Sequence, residues 1–70
     1  MQQIYTAVIK QQPECWIGWI EEVQGVNCQE TSREELLASL KVTLAEAIEF
    51  NRAEAIGAAG SVYEELPIAV

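Results

Sequence analysis

A single amphipathic helix pattern occupies the second half of this chain. From Leu36 onward, apolar residues recur at spacings of three, four and seven, which places them along one side of an α-helix. A helix with one apolar stripe must bury that stripe against a second layer of structure. The remainder of the chain therefore has to supply that layer. The stripe consists of Leu36, Leu37, Leu40, Leu44, Ala47 and Ile48.

The sequence also indicates where this helix begins and ends. Thr31, followed by Glu34, has the spacing of a capping box, in which the hydroxyl and the carboxylate each bond to the other residue's backbone amide. Glycine is common just past a helix C-terminus, and Gly57 and Gly60 follow the apolar stripe. The pattern therefore predicts a helix of about 20 residues that stops near Gly57.

The N-terminal half of the chain is predicted to form a sheet. Residues 4–10 (IYTAVIK) are rich in β-branched and aromatic side chains. Residues 15–21 (CWIGWIE) follow after a polar turn that contains Pro13, which favours a hairpin. Residues 26–30 form a third, shorter candidate strand before the helix. Three antiparallel strands are therefore expected ahead of the helix.

The C-terminal segment returns to an extended, apolar pattern. Residues 61–70 (SVYEELPIAV) predict a last strand, although Pro67 lacks an amide hydrogen and would restrict it to a sheet edge or to a partner chain. We therefore predict one α+β domain over residues 1–70. Its small antiparallel sheet is covered on one face by one long helix, in the order β-β-β-α-β.

The first two predicted strands are apolar on both faces. Trp16 and Trp19 are an odd number of residues apart, so in an extended strand their side chains point to opposite sides of the sheet. One helix covers only one of these sides. A soluble monomer seldom exposes a large contiguous apolar patch. We therefore expect the other side to be covered by a second copy, by a different protein, or by the C-terminal segment folding back.

The charge balance narrows the choice of partner. Eleven glutamates and no aspartates oppose four basic residues, which gives a formal net charge of -7. This charge repels phosphate backbones and complements a basic protein surface, although it would also serve solubility alone. No apolar stretch approaches the roughly 20 residues of a membrane span, and the N-terminus lacks a secretion signal. We expect a cytoplasmic homodimer or higher homo-oligomer that binds neither nucleic acid nor membrane.

Groups suited to catalysis or to metal binding are scarce. The sequence has no histidine, and Cys15 and Cys28 are its only thiols. A cysteine nucleophile needs an activating base, and in the cytosol a disulfide between these two residues would be unusual. Adjacent glutamates such as Glu21 and Glu22 face opposite sides of a strand, which does not suit acid-base or Mg²⁺ chemistry. The sequence therefore predicts a protein that is not an enzyme, with no catalytic residue, metal or cofactor.

Four segments follow one another in an order shared with one protein family. They are an opening strand at residues 5–9 (YTAVI), an aromatic-aliphatic-small-aromatic strand at residues 16–19 (WIGW), a glycine bend at residues 23–26 (VQGV) and the approach to the helix at residues 29–31 (QET). Across residues 4–48 the chain resembles the HicB-like antitoxins of bacterial and archaeal toxin-antitoxin systems. That family usually has a proline before the bend glycine, where this chain has glutamine.

The resemblance implies an antitoxin domain without the family's DNA-binding module, so operator binding is not expected. It implies a partner as well, a small basic HicA-type toxin that degrades mRNA and whose active surface the domain would occlude. We expect the partner contacts to include Trp16 or Trp19 on the uncovered sheet face, with Glu21, Glu22 and Glu30 nearby. The alternative is a stand-alone, self-associating structural or regulatory domain with no toxin partner.

Overall fold

The computed structural model describes residues 4–70, which form a three-stranded antiparallel sheet and one long helix. The strands are β1 (Ala7–Gln11), β2 (Trp16–Ile20) and β3 (Asn27–Glu30), and the helix is α1 (Arg33–Ala59). The strands lie in the order β1-β2-β3, so β2 is central and β1 and β3 are the edges. The predicted α+β class is therefore confirmed.

The strand register decides which side chains face the helix. Val8 of β1 and Asn27 of β3 are both paired with Trp19 of β2. Because side chains alternate along a strand, these three residues share one side of the sheet, and Trp16 and Ile20 lie on the other. Ile20 is buried in the core and Trp16 packs against it. The two tryptophans thus point to opposite faces, as the sequence predicts.

The hydrophobic core lies between α1 and the sheet side that faces it. Its buried members come from the end of β2, the loop before β3 and the first turns of α1. Two of them, Leu36 and Val26, are completely or almost completely enclosed. Only the first half of α1 contributes to this core. The buried members are Ile20, Val26, Leu36 and Leu40, and the half-buried residues packed around them include Tyr5, Ile9, Trp16, Val23, Cys28, Leu44 and Ala47.

The helix begins one residue later than the sequence predicts. Ser32 is the N-cap, with an extended backbone, and its hydroxyl accepts a hydrogen bond from the Glu35 amide at 3.2 Å. The Glu35 carboxylate accepts from the hydroxyls of Ser32 at 2.9 Å and Thr31 at 2.7 Å. The predicted pairing of Thr31 with Glu34 is therefore wrong. Serine caps at least as well as threonine, and the same spacing recurs one residue along.

The helix also ends later than predicted. It runs through Gly57 to Ala59, and Gly60, with a φ of 84°, forms its C-cap. The predicted stop near Gly57 is wrong because residues 53–59 are mostly alanine, whose helix propensity outweighs the roughly 1 kcal/mol cost of one glycine. The 27 residues of α1 span about 40 Å. The second half of the helix therefore extends past the sheet.

The C-terminal segment does not form the predicted last strand. Residues 61–70 follow the helix as irregular chain, and Tyr63 lies near Ala55 on the outside of the helix. The Glu65 carboxylate is 3.9 Å from Nε of Arg52. A strand needs a sheet edge beside it, and twelve helical residues beyond Ala47 carry this segment about 18 Å from the core. The length of α1 thus explains the difference.

Two glycines give a matched test of this packing. A Cβ on Gly18 would lie 3.0 Å from Cδ1 of Leu40 and 3.1 Å from the carbonyl oxygen of Val8, whereas a Cβ on Gly57 would meet nothing within 4 Å. We predict that Gly18→Ala lowers the free energy of unfolding by about 1–3 kcal/mol. Gly57→Ala should raise it by roughly 0.5–1 kcal/mol, because alanine favours the helix. Urea unfolding followed by circular dichroism measures both, and a Gly18→Ala protein as stable as wild type would contradict the close approach.

Candidate protein-binding face

The side of the sheet opposite α1 is the candidate site, and we call it the open face. Within residues 4–70, α1 packs only on the other side of the sheet, and no strand lies over the open face. Its side chains form two rows that cross the three strands. It is therefore a sheet surface that spans all three strands without a cover in the described part of the chain. The rows are Val8, Trp19 and Asn27, and Lys10, Ile17 and Gln29.

Trp19 is the apolar centre of the open face. It lies on the central strand, between Val8 and Asn27, and 38% of its surface is exposed. Beside it, Ile17 and Gln29 line a depression of about 360 Å³ between β2 and β3. An indole buries a large area and carries one N–H donor, so it can anchor a partner while bonding to it. This geometry suits recognition of another protein surface.

Polar groups surround this apolar centre. Lys10 contributes a positive charge, and Asn27 and Gln29 contribute amides that both donate and accept hydrogen bonds. Glu21 lies two residues beyond Trp19 and therefore on the same side of the chain. Its amide donates to the Thr6 carbonyl at 2.9 Å, which extends the β1–β2 ladder and holds Glu21 at the margin. The open face thus has an apolar middle and a polar rim.

Glu22 has a structural partner within its own chain. Its carboxylate accepts a hydrogen bond from the Thr6 backbone amide at 2.8 Å. That bond holds the pKa of Glu22 below its ordinary value, because it favours the charged carboxylate. Glu22 therefore fixes the chain at the start of β1. Its carboxylate is hydrogen-bonded within its own chain, whereas the Glu21 carboxylate makes no such bond within residues 4–70.

Trp16 and Glu30 lie on the helix side of the sheet and not on the open face. They are direct partners across β2 and β3, on the side opposite Trp19. Trp16 packs against the core, and the Glu30 carboxylate accepts from the Ser39 hydroxyl at 2.6 Å. Of the five predicted contact residues, the structure therefore brings only Trp19 and Glu21 together at the open face. Strand alternation separates Trp16 and Glu30 from them.

Five residues of the open face were not among the contacts predicted from sequence. Counting alternate positions back from Trp19 would have identified Ile17, but the neighbours on β1 and β3 depend on the strand register. The tight turn after β1 sets the register of β1 against β2, and in it the Gln12 amide donates to the Cys15 carbonyl at 2.8 Å. Such a turn is hard to specify from sequence alone. The five residues are Val8, Lys10, Ile17, Asn27 and Gln29.

The two cysteines lie outside the two rows of the open face. Cys15 and Cys28 are free, half-buried thiols, and Sγ of Cys28 lies 3.5 Å from the Thr43 hydroxyl. Within residues 4–70, no three His, Cys, Asp or Glu side chains are grouped to hold a metal ion. In the same part of the chain, α1 is too polar to cross a membrane.

Two carboxylates give the fold a defined response to acid. The Thr6 amide lowers the pKa of Glu22, and the hydroxyls of Thr31 and then Ser32 lower the pKa of Glu35. A carboxylate with a lowered pKa in the folded state stabilises the fold fully above its unfolded value, about 4.5, and loses that effect as pH falls through its folded value. Stability should therefore decline as pH falls below about 4.5.

Glutamine substitution separates these two carboxylates from the others. We predict that Glu22→Gln and Glu35→Gln each reduce the loss of stability below pH about 4.5. Each variant lacks one carboxylate whose protonation favours the unfolded state. Glu46→Gln is the control, since the Glu46 carboxylate makes no hydrogen bond within residues 4–70. Urea midpoints measured across this pH range test the prediction. Identical pH profiles for all three variants would refute it.

Comparison with protein-family models, with curated proteins and with solved structures found no match to this chain. The resemblance to the HicB-like antitoxins rests on the segments quoted above.

Proposed function

We propose that this chain is a non-catalytic domain that captures a small basic protein on its open face. The observation that carries the proposal is the half-exposed indole of Trp19, at the centre of a sheet face that no other element of residues 4–70 covers. A central aromatic residue surrounded by polar groups is the usual arrangement of binding energy in a protein interface. Lys10, Glu21, Asn27 and Gln29 provide such a rim.

The charge of the chain supports a basic partner. The formal net charge is -7, and Glu34, Glu46 and Glu49 are exposed on the helix. Exposed charges act over a Debye length of about 8 Å at physiological salt, so they steer a partner during approach more than they hold it afterwards. Charge therefore governs the association rate, and contact with Trp19 governs dissociation.

The resemblance to HicB-like antitoxins suggests which basic protein this is. A HicA-type toxin is small and basic and degrades mRNA, so a domain that covers its active surface would inhibit it without any catalytic group. This mechanism requires binding alone. The proposal sets both proteins in the cytoplasm, where the mRNA substrate is found.

The size of the open face indicates where further contacts lie. Three strands of about five residues present a face of roughly 250 Å², whereas a standard interface buries about 800 Å² on each partner. A partner centred on Trp19 must therefore extend past the sheet. The free edge of β3 lies next to the depression beside Trp19, and its backbone groups can pair with an added strand. We place the additional contacts along this edge.

Replacing the central indole tests the proposal directly. We predict that a small basic protein is encoded beside this gene, and that Trp19→Ala weakens its binding by about 2–4 kcal/mol, mainly through faster dissociation. Val42→Ala is the matched control, because Val42 is 61% exposed on α1, away from the open face. Surface plasmon resonance measures both rates. Equal dissociation rates for Trp19→Ala and wild type would remove the open face from the proposal.

Charge reversal at the margin tests the electrostatic part. Glu21→Lys should slow association several-fold at low salt, and the difference should shrink as salt is raised. Glu49→Lys changes the net charge equally but lies on α1, so it should slow association less. If the two variants associate at equal rates, steering depends only on net charge and Glu21 has no local role.

Co-expression tests the antitoxin role itself. Expression of the neighbouring reading frame by itself should arrest growth. Co-expression of this chain should restore growth, whereas co-expression of the Trp19→Ala variant should not. The alternative is a self-associating domain without a toxin, which would use the open face for its own copies. In that case the purified protein would be a homo-oligomer by light scattering, Trp19→Ala would dissociate it, and growth would not depend on the neighbouring frame.

A further inference from the structure

A second unpartnered surface lies on the helix side of the sheet, above β1. Helix α1 packs mainly over β2 and β3, so the strip above β1 is left open. This strip is a groove of about 270 Å³ between the edge strand and the helix, and we call it the β1 groove. The buried Ile20 and Leu40 line it, together with Tyr5, Ala7, Leu37 and Leu44. The outer backbone edge of β1 runs alongside.

The segment that matches this groove is the tail, residues 61–70. Val62, Leu66 and Ile68 are exposed by 91%, 74% and 86%. All three have even numbers, so in an extended chain they lie on one side together with Val70. The tail thus carries an apolar stripe with strand periodicity and no partner layer within the described chain. The β1 groove offers what this stripe needs, because it has an apolar wall and a sheet edge with no strand paired to it.

The proline of the tail fits an added edge strand. Successive residues of a strand direct their backbone N–H groups to opposite edges, so bonds from Leu66 and Ile68 to β1 would turn Pro67 outward. At that outward position Pro67 would face solvent, where no strand requires a hydrogen bond from its backbone nitrogen. Proline also keeps the preceding residue, Leu66, in an extended conformation. The tail is therefore suited to pair through one edge only.

Most of the groove of its own chain lies beyond the reach of Leu66 and Ile68. Glu65 lies beside Arg52, whereas the groove runs from Leu44 to Leu37, which are about 12 and 22 Å back along the helix. Ile68 is only three residues past Glu65, which is a reach of about 10 Å. Leu66 reaches still less far. A second copy is free of this constraint.

We propose that two copies form a two-fold dimer in which each tail pairs with the β1 edge of the other copy and inserts Leu66 and Ile68 into its β1 groove. The charges agree with this arrangement. Lys41 lines the groove, and the one ion pair within residues 4–70 joins Arg52 and Glu65, so Lys41 has no acidic partner there. Glu64 lies on the same side of the extended tail as Leu66, which brings it to Lys41 of the second copy.

The exchange is reciprocal, so each dimer contains the contact twice, as a closed two-fold interface requires. It uses the helix side and the outer edge of β1, and it leaves the open face and Trp19 exposed. The dimer can therefore be tested independently of the binding of a basic partner, because the two use different surfaces.

The first test compares two adjacent tail residues. Ile68→Asp should raise the dimer dissociation constant at least about tenfold, whereas Ala69→Asp, with the same charge on the opposite side of the tail, should change it by less than about threefold. Light scattering and sedimentation equilibrium of the full chain measure the constant. Both residues are exposed, so neither variant should unfold the domain, and circular dichroism checks this. A monomeric wild type, or a dimer that is insensitive to Ile68→Asp, would overturn the proposal.

The second test shows whether the tail acts between copies. Leu37→Asp disables the groove and keeps the tail, and Ile68→Asp disables the tail and keeps the groove. Each alone should be monomeric where wild type is dimeric, and an equal mixture should form a dimer through its one intact contact. Val42→Asp, on the far side of α1, is the control and should dimerise normally. A mixture that remains monomeric would refute an exchange between copies.

Discussion

The close approach of α1 to β2 at Gly18 determines the architecture of this small domain. Because Gly18 has no side chain, Leu40 can lie directly on the central strand. That contact brings Leu36 into the space bounded by Ile20 and Val26, where it is completely buried. A chain of 70 residues has little other apolar burial with which to offset its loss of conformational entropy. The helix position then decides which sheet surfaces are covered and which are not.

Much of the fold follows from the sequence through two periodicities. The spacing of three and four predicts α1, and alternation predicts that Trp16 and Trp19 face opposite ways. Periodicity does not say which tryptophan the helix covers, because that depends on the register of the strands and the path of the chain after β3. Periodicity also does not predict the hydrogen bond of Glu22, since its partner Thr6 lies sixteen residues away. Of the contact residues predicted from sequence, Trp19 and Glu21 fall at the open face.

The errors at the two ends of α1 have different causes. At the start, Thr31 and Ser32 are equivalent capping choices, and local geometry selects the second. At the end, alanine-rich sequence continues the helix past Gly57, which removes the tail from its own sheet. Because the helix was predicted to end too early, the segment after it was wrongly predicted to return to the sheet as a last strand. A segment with strand periodicity forms a strand only where a sheet edge lies beside it, and periodicity alone does not show whether its own chain supplies that edge.

The helix has unequal support along its length. Its first turns are held by the core, whereas beyond Ala47 it projects into solvent with Phe50 63% exposed. An isolated helical segment of about twelve residues is marginal in water. Backbone amides near Leu36 and Leu40 should therefore exchange hydrogen only on global unfolding, and those near Ile56 through frequent local fraying. We therefore expect one continuous helix to contain two thermodynamic regions, a rigid half that defines the fold and a more labile half beyond the core.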